Sequence, residues 1–549
     1  MMKRNFFAAL VLSALLLQGS LFAQAPAVRI TPAEKKIAET IQADQLSNWL
    51  HFVASDAMAG RDTPSQGLDV TAEFIKMKLS RWGFRPAGDN GTFFQKIALS
   101  REAVDANATF VKIGETQFKL TEDFFRLSGS GKAENVGLVF GGNGWMVKAK
   151  NYDALEGVDA KGKIVVLFSN GFPSQRTITQ LPQGMSQADL AGANGVDYAD
   201  PMTNARMKGA VGIILAASPQ VEGAWGNIRG FFTRGSLTVD KLRGDVGGSQ
   251  QEMLPTILAS KKLSDAIFEG ESAGRDSKTA FVINKTISMA ASAKKESLKT
   301  QNVVAVWEGS DPRLKAEYIA IGAHYDHVGV NENAPGDDKI YNGADDDGSG
   351  TVGMLAIAEA LAKSKVRPRR SILFVWHAGE EKGLWGAEYF NKFPTVDIKN
   401  VVTQLNIDMI GRSRKPTDTD QRNKDLSGEN EVYLIGSEVM SSTLGAVTKA
   451  VNTNYLKLDY NYRYDAPNDP NRFFFRSDHF HYALNGIPIA FWFTGVHQDY
   501  HQPGDHPDKI DYAKMEKIVR TIFMTAWKLA NMNDRPKVDK ELPPELTRR

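Results

Sequence analysis

The sequence predicts an α/β protein with a mostly parallel central sheet flanked by helices, accompanied by a smaller β-rich unit. Three observations predict it. At 549 residues the chain exceeds what one compact core usually supports, so two structural units are expected. Beyond Asn302, short apolar runs rich in β-branched and aromatic residues recur at 318–323, 371–376, 401–407, 431–435 and 488–493. Helical stretches lie between several of them, notably 353–363 and 512–531, and this alternation builds a sheet covered on both faces.

In chain order, Lys3 and Arg4 precede an apolar stretch at 6–17, followed by Gly19, Ser20 and Ala23. That is the layout of a cleavable secretory signal, so residues 1–23 are read as a signal peptide and the mature protein as exported, periplasmic or extracellular. No later apolar run is long enough to span a bilayer, and no stable membrane insertion is expected. Ile37, Ile41, Leu46, Leu50 and Val53 then recur at roughly helical intervals, and a second amphipathic helix is expected over 68–82. Between 132 and 295 the texture changes to short apolar runs separated by Gly and Asn, such as 163–168, 210–215 and 254–258. This stretch contains none of the histidines, so the chemistry is sought elsewhere. A charged tail, 533–549, is expected to fray.

Composition removes several function classes. With 42% hydrophobic and 24% charged residues the chain is not disordered, and a formal charge of +2 with dispersed basic residues offers no face for nucleic acid. Cysteine is absent, which excludes disulfides, thiolate nucleophiles and cysteine zinc ligands. Any metal must therefore be held by His, Asp and Glu.

In open α/β sheets the site forms beyond the carboxyl ends of the strands. His324 and Asp326 follow the first run, Glu380 and Glu381 the second, and Asp408 the third. Asp345, Asp346 and Asp347 lie between the first two runs, and Tyr500 and His501 follow the last. Eight of the nine histidines fall between 324 and 506. Imidazole and carboxylate ligands are what a metal needs to activate water for amide hydrolysis, and two such metals can share one carboxylate. His324 and Asp408 can serve one ion, Glu381 and His501 the other, and a member of the Asp345–Asp347 run can lie between them. Asp326, two positions after His324, shares its face and can accept the other imidazole N–H. Glu380 stands beside a ligand but projects elsewhere, which suits a general base.

Each residue also has a bland explanation. Asp347 could cap the following helix. Asp408 resists this treatment, because Leu405, Ile407, Met409 and Ile410 surround it and an unpaired carboxylate is costly to bury. His327, His377, His479, His481, His497 and His506 are read as structural or as supporting the ligands, with His327 and His479 of most interest. Neither a His-Glu-x-x-His helix nor a Gly-x-Ser-x-Gly elbow is present.

The ordered motifs Ala323-His324-Tyr325-Asp326-His327, Gly343-Ala344-Asp345-Asp346-Asp347-Gly348, Ala378-Gly379-Glu380-Glu381, Asn406-Ile407-Asp408-Met409, Ser477-Asp478-His479 and His501-Gln502-Pro503 resemble the di-zinc exopeptidase family of secreted bacterial leucine aminopeptidases and glutamate carboxypeptidase. The resemblance implies two zinc ions, although the same ligands would accept cobalt or manganese. It implies that His324 and Asp408 bind the first, Glu381 and His501 the second, and that Asp346 bridges them, often with a cis peptide after it. It further implies Glu380 as base, Asp326 as the orienting acid, and a transition-state role for Tyr500. Segments 158–164 and 205–212 are similar to a protease-associated domain inserted into the peptidase fold. The implied organisation is an N-terminal part of the peptidase over 24–131, the insert over 132–295 and the main peptidase domain over 296–532. The expected reaction removes single residues from the N-terminus of peptide substrates through a hydroxide shared by the two metals. Carboxypeptidase action, with Arg412, Arg463 or Arg476 gripping a substrate carboxylate, is the alternative. A glutaminyl-cyclase-like transferase and a non-catalytic receptor-like relative rank below it. Phe473, Phe474, Phe475, Phe491 and Trp492 are candidates for an apolar pocket.

Overall fold

The computed structural model describes residues 28–168, 171, 178–242 and 253–547; the expected signal peptide at 1–23 lies outside the described residues. The chain divides into two units, residues 28–97 with 300–547, and Ala98–Lys299.

The first unit is built on strands β1 (Ala293–Trp307, through its carboxyl half), β2 (Tyr318–His324), β3 (Ser371–His377), β4 (Val401–Ile407), β5 (Glu431–Ile435), β6 (Asp459–Asn461) and β7 (Ile489–Phe493), in the spatial order β1-β3-β2-β4-β7-β5-β6. The central strands β3, β2, β4 and β7 run parallel, while β1 against β3 and β5 against β7 are antiparallel. This is the expected fold class. After β2 the chain goes to β3 on one side and then to β4 on the other, so the carboxyl end of β2 is a topological switch point where a crevice opens.

Helices α1 (Ala43–Val53), α2 (Gln66–Arg81), α3 (Gly350–Lys363), α5 (Ser442–Asn454) and α7 (Tyr512–Asn531) share one core with Ile319, Ile321, Ile372, Phe374 and Trp376. Helices α4 (Trp385–Lys392) and α6 (His479–Leu484) share the other with Ala320, Leu373 and Val375. Successive residues of one strand thus enter opposite cores, which is why β2 and β3 read as continuous apolar runs rather than alternating ones. Helix α2 begins two residues before its predicted start, where the Ser65 hydroxyl accepts the Leu68 N–H. Helix α3 begins three residues early because Asp347 caps it through the Gly350 N–H at 2.8 Å.

The second unit has an eight-stranded sheet, in which Gly131–Phe140, Ile164–Phe168, Gly212–Ala216 and Thr256–Ala259 form a parallel centre. It begins at Ala98 rather than at residue 132 and ends at Lys299 rather than at 295. Phe110–Ile113, Thr116–Phe118 and Phe124–Ser128 belong to this sheet, and Val111, Phe118 and Phe124 are buried in its core. The partner of Phe110–Ile113 is Phe281–Ala291, a pairing so distant in sequence that no local pattern announces it.

The C-terminal tail is a second correction. Residues 533–547 pack on the first unit: Asp539 accepts the Ser442 N–H at 2.9 Å, Arg535 pairs with Glu317 at 2.8 Å, and Leu546 is buried in the core of Phe480 and Tyr482. Leu546→Ala is expected to cost about 2 kcal/mol, at the low end for a buried leucine, read as a lowered denaturant midpoint. An unchanged midpoint would mean that the tail is undocked in solution. Among the described residues no helix is long and apolar enough to cross a membrane.

Candidate metal centre

The strand-end residues converge. His324 ends β2, and its main-chain carbonyl accepts the Thr351 hydroxyl of α3 at 2.7 Å. Its Nδ1 lies 3.1 Å from the main-chain oxygen of Asp326, which leaves Nε2 facing Asp346 Oδ1 at 3.2 Å and Asp408 Oδ1 at 3.6 Å. The Asp326 carboxylate does something other than orient this imidazole, since Oδ1 is 3.8 Å from Nδ1. It accepts the main-chain N–H of Glu380 at 3.1 Å and the Thr63 hydroxyl at 2.9 Å. The imidazole is served by the carbonyl of the same residue, and the carboxylate fixes the backbone of Glu380.

The loop between β2 and α3 separates the roles of its three aspartates. Asp345 Oδ1 accepts the Gly411 N–H at 2.6 Å, and Asp347 Oδ1 accepts the N–H groups of Gly350 and Met409 at 2.8 and 3.2 Å. Only the middle carboxylate, Asp346, is left facing both imidazole sets. The Asp346–Asp347 peptide is cis. Asp505 accepts the main-chain N–H groups of Asp345 and Asp346 at 2.9 and 3.2 Å, and the buried Arg61 binds the carbonyls of Asn342 and Gly343 at 2.7 and 2.8 Å. The loop is thus held from both ends.

Two donor groups result: His324, Asp346 and Asp408, and His327, Asp346, Glu381 and His501. Asp346 belongs to both. His501 Nε2 lies 3.1 Å from Asp346 Oδ2 and 3.0 Å from Glu381 Oε2. His327 Nδ1, Asp346 Oδ2, Glu381 Oε1 and His501 Nε2 are buried without an aligned hydrogen bond, which is costly unless something else satisfies them. The electrostatics agree. Burial raises the Glu380 carboxyl well above its ordinary value, with the charges of Glu381, Asp408 and Asp478 adding to the effect and His324 opposing it. Burial alone would lower His501, yet Asp346 and Glu381 outweigh it and raise it to about 10. Such a cluster asks for positive charge, and divalent cations supply it without protons. Zinc fits this all-His/carboxylate donor set.

A cavity opens over the first group. His324, Asp346, Glu380 and Asp408 line it together with Met409, Phe473, Phe491, Phe493, Val496, Tyr500 and Arg476. The Tyr500 ring stacks on His501 with centroids 3.9 Å apart, and its hydroxyl accepts an Arg476 N–H at 3.2 Å. Burial raises this phenol, so it remains an O–H donor. Of the candidate pocket aromatics, Phe473 and Phe491 line the cavity, whereas Phe474, Phe475 and Trp492 fill the cores. His479 stacks on Phe491 and is pushed down to about 3 by burial, which makes it a neutral packing residue. Arg61, Thr63 and Asp505 were not singled out by sequence reasoning.

An open α/β sheet presents, at its switch point, two imidazole–carboxylate groups that share one aspartate and could hold metal ions. Residues 302–526 match the model of Peptidase family M28. It is 29% identical over 205 residues to a probable leucine aminopeptidase 2 of Aspergillus oryzae, covering 37% of this chain and 35% of that one. With leucine aminopeptidase 2 of Arthroderma otae it shares 25% over 328 residues, 54% and 58% of the two chains. The chain thus spans about a third to three fifths of the length of these relatives. Among solved structures it is similar to an aminopeptidase from Aneurinibacillus (TM-score 0.48, 18% identity, 93% and 98% covered). A zinc aminopeptidase from Bacillus subtilis gives a TM-score of 0.45 at 16% identity, with 92% and 99% covered.

Proposed function

We propose that the chain is an exported two-zinc aminopeptidase that hydrolyses the N-terminal bond of peptides with Glu380 as general base. The observation that carries this reading is Asp346, one oxygen of which faces His324 beside Asp408 and the other His501 beside Glu381. Zinc bound at these groups would lower the pKa of a water from about 16 to about 7 and polarise the scissile carbonyl. His324, Asp346 and Asp408 would hold one ion, and Glu381, Asp346 and His501 the other. Glu380 accepts the proton of the attacking water and returns it to the amine nitrogen as the C–N bond breaks. Asp326 positions this base through its main-chain N–H. The Tyr500 hydroxyl donates to the oxyanion. The free amine is received by Glu380 and Asp408, and Met409, Phe473 and Phe491 give an apolar wall for the N-terminal side chain, in keeping with relatives described as leucine aminopeptidases. Export rests on the signal-like residues 1–23, and the unit Ala98–Lys299 is read as a protease-associated domain from its segments 158–164 and 205–212.

One observation favours the carboxypeptidase alternative. Arg412 is bound to Asp499 at 2.8 Å and Arg463 to Asp425 at 3.1 Å, but Arg476 lines the cavity. Hydrolysis of amino-acid anilides and N-blocked dipeptides, each with and without chelator, separates the two. Chelator-sensitive release from free-amine substrates alone is expected, and release from blocked dipeptides alone would make the protein a carboxypeptidase.

A further inference from the structure

His327 stands outside the five-ligand set that the sequence motifs imply, yet its surroundings are those of a ligand. The side chain is fully buried, and Nδ1 lies 2.8 Å from Glu381 Oε1 and 3.7 Å from Asp346 Oδ2. At 2.8 Å a hydrogen bond to Glu381 would be strong, but the two atoms are not aligned for one, and both remain without a hydrogen-bond partner. The same holds for His501 Nε2 and Asp346 Oδ2. Four buried polar atoms that approach one another without pairing are the pattern of donors aimed at a common point rather than at each other. Each contributes a ligand atom to a group spanning no more than 4.8 Å.

The imidazole is also seated deliberately. Its main-chain N–H is donated to the Arg61 carbonyl at 3.1 Å. Its ring packs on Gly343, where a Cβ would come within 2.5 Å of the ring Cγ, so any other residue there would displace it. Among the described residues the first donor group has no such fourth member, and its three residues line the cavity, whereas His327, Glu381 and His501 do not.

We infer that His327 is a fourth protein ligand of the ion held by Asp346, Glu381 and His501, making the two metal positions unequal. The inference rests on the two-zinc reading above. The four-donor position holds its ion more tightly, and the three-donor position, facing the cavity, keeps room for water and substrate and exchanges its ion more readily. Structural zinc sites are commonly filled by protein donors in this way, while catalytic ones keep a position open.

The test needs no turnover. Zinc-loaded protein is titrated with a competing chelator while bound zinc is counted by mass spectrometry, and zinc-edge X-ray absorption counts the imidazoles. Wild-type protein is expected to release its two ions in two separate steps and to show three imidazoles shared between them. His327→Ala is expected to weaken the tighter step by more than the 10–100-fold typical of a group that only supports a ligand, leaving the weaker step in place. Two ions with two imidazoles between them would overturn the role of His327 alone, and this readout stands even if the variant fails to fold. Fewer than two ions in the wild-type protein would overturn the two-zinc reading and the role of His327 with it.

Discussion

Replacing Glu380 by Gln is expected to lower kcat by about 10²–10⁴-fold, the range for loss of a positioned general acid–base, while both metals stay bound. Gln keeps the size of the side chain, and the main-chain N–H that Asp326 accepts at 3.1 Å is untouched. What disappears is the group able to take a proton beside His324 and Asp408 and hand it on. The donor groups do not include Glu380, so metal content should be unaffected. Zinc content and steady-state kinetics measured on one preparation decide the matter. Activity within tenfold of wild type, with two ions present, would remove Glu380 from the chemistry; lost zinc would instead make it a ligand. This outcome bears on the division of labour within the Glu380-Glu381 pair, where adjacent carboxylates take different tasks because one faces His327 and His501 and the other the cavity.

The legibility of this site in the sequence has a physical basis. Strands buried on both faces are written as apolar runs, so β2, β3, β4, β5 and β7 could be found with their ends nearly in place, while the short, partly exposed β6 could not, and the chemistry of such a sheet gathers at those ends. The middle aspartate of the Asp345–Asp347 run was singled out by resemblance; the structure supplies the reason, since its neighbours are occupied with main-chain N–H groups. What could not be read depends on contacts remote in sequence. His327 gains its meaning from Glu381 and Gly343, and Asp505 from a loop about 160 residues earlier. The true start of the smaller unit depends on strand pairing between residues near 110 and 290. The tail misled because its charged residues dominate the pattern while two apolar residues, the buried Leu546 and the partly buried Leu542, pack it against the core.

Arg61 shows how far the scaffold is committed to the site, and its replacement by Met is expected to destabilise the protein by about 3–5 kcal/mol, the range for breaking a buried charged network. Its guanidinium is 1% exposed and pairs with no carboxylate. It donates instead to four carbonyls: Tyr325 at 3.0 Å, Val53 at 2.7 Å, Asn342 at 2.7 Å and Gly343 at 2.8 Å. Burial lowers its pKa, and the fields of Asp326, Asp505, Asp346 and Asp347 hold it up, so the cation is retained by the acids around the metal centre. Gly60 lets the chain bring it there, since a Cβ at that position would meet the carbonyls of Gly329 and Tyr341 at 2.4 and 2.5 Å. Met fills much of the volume and donates nothing, leaving four carbonyls to find water, each at about 1–3 kcal/mol if they fail. Arg61→Lys keeps the charge but cannot span all four, and should fall between. Tyr325 separates His324 from Asp326, and Gly343 opens the aspartate loop, so the same substitution should shrink the stabilisation that zinc confers. Denaturant unfolding of wild type, Arg61→Lys and Arg61→Met, each with zinc and with chelator, measures both effects. A loss below 1 kcal/mol for Arg61→Met would show that water replaces the guanidinium freely. An undiminished zinc increment would show that the strand end and the aspartate loop keep their places without it.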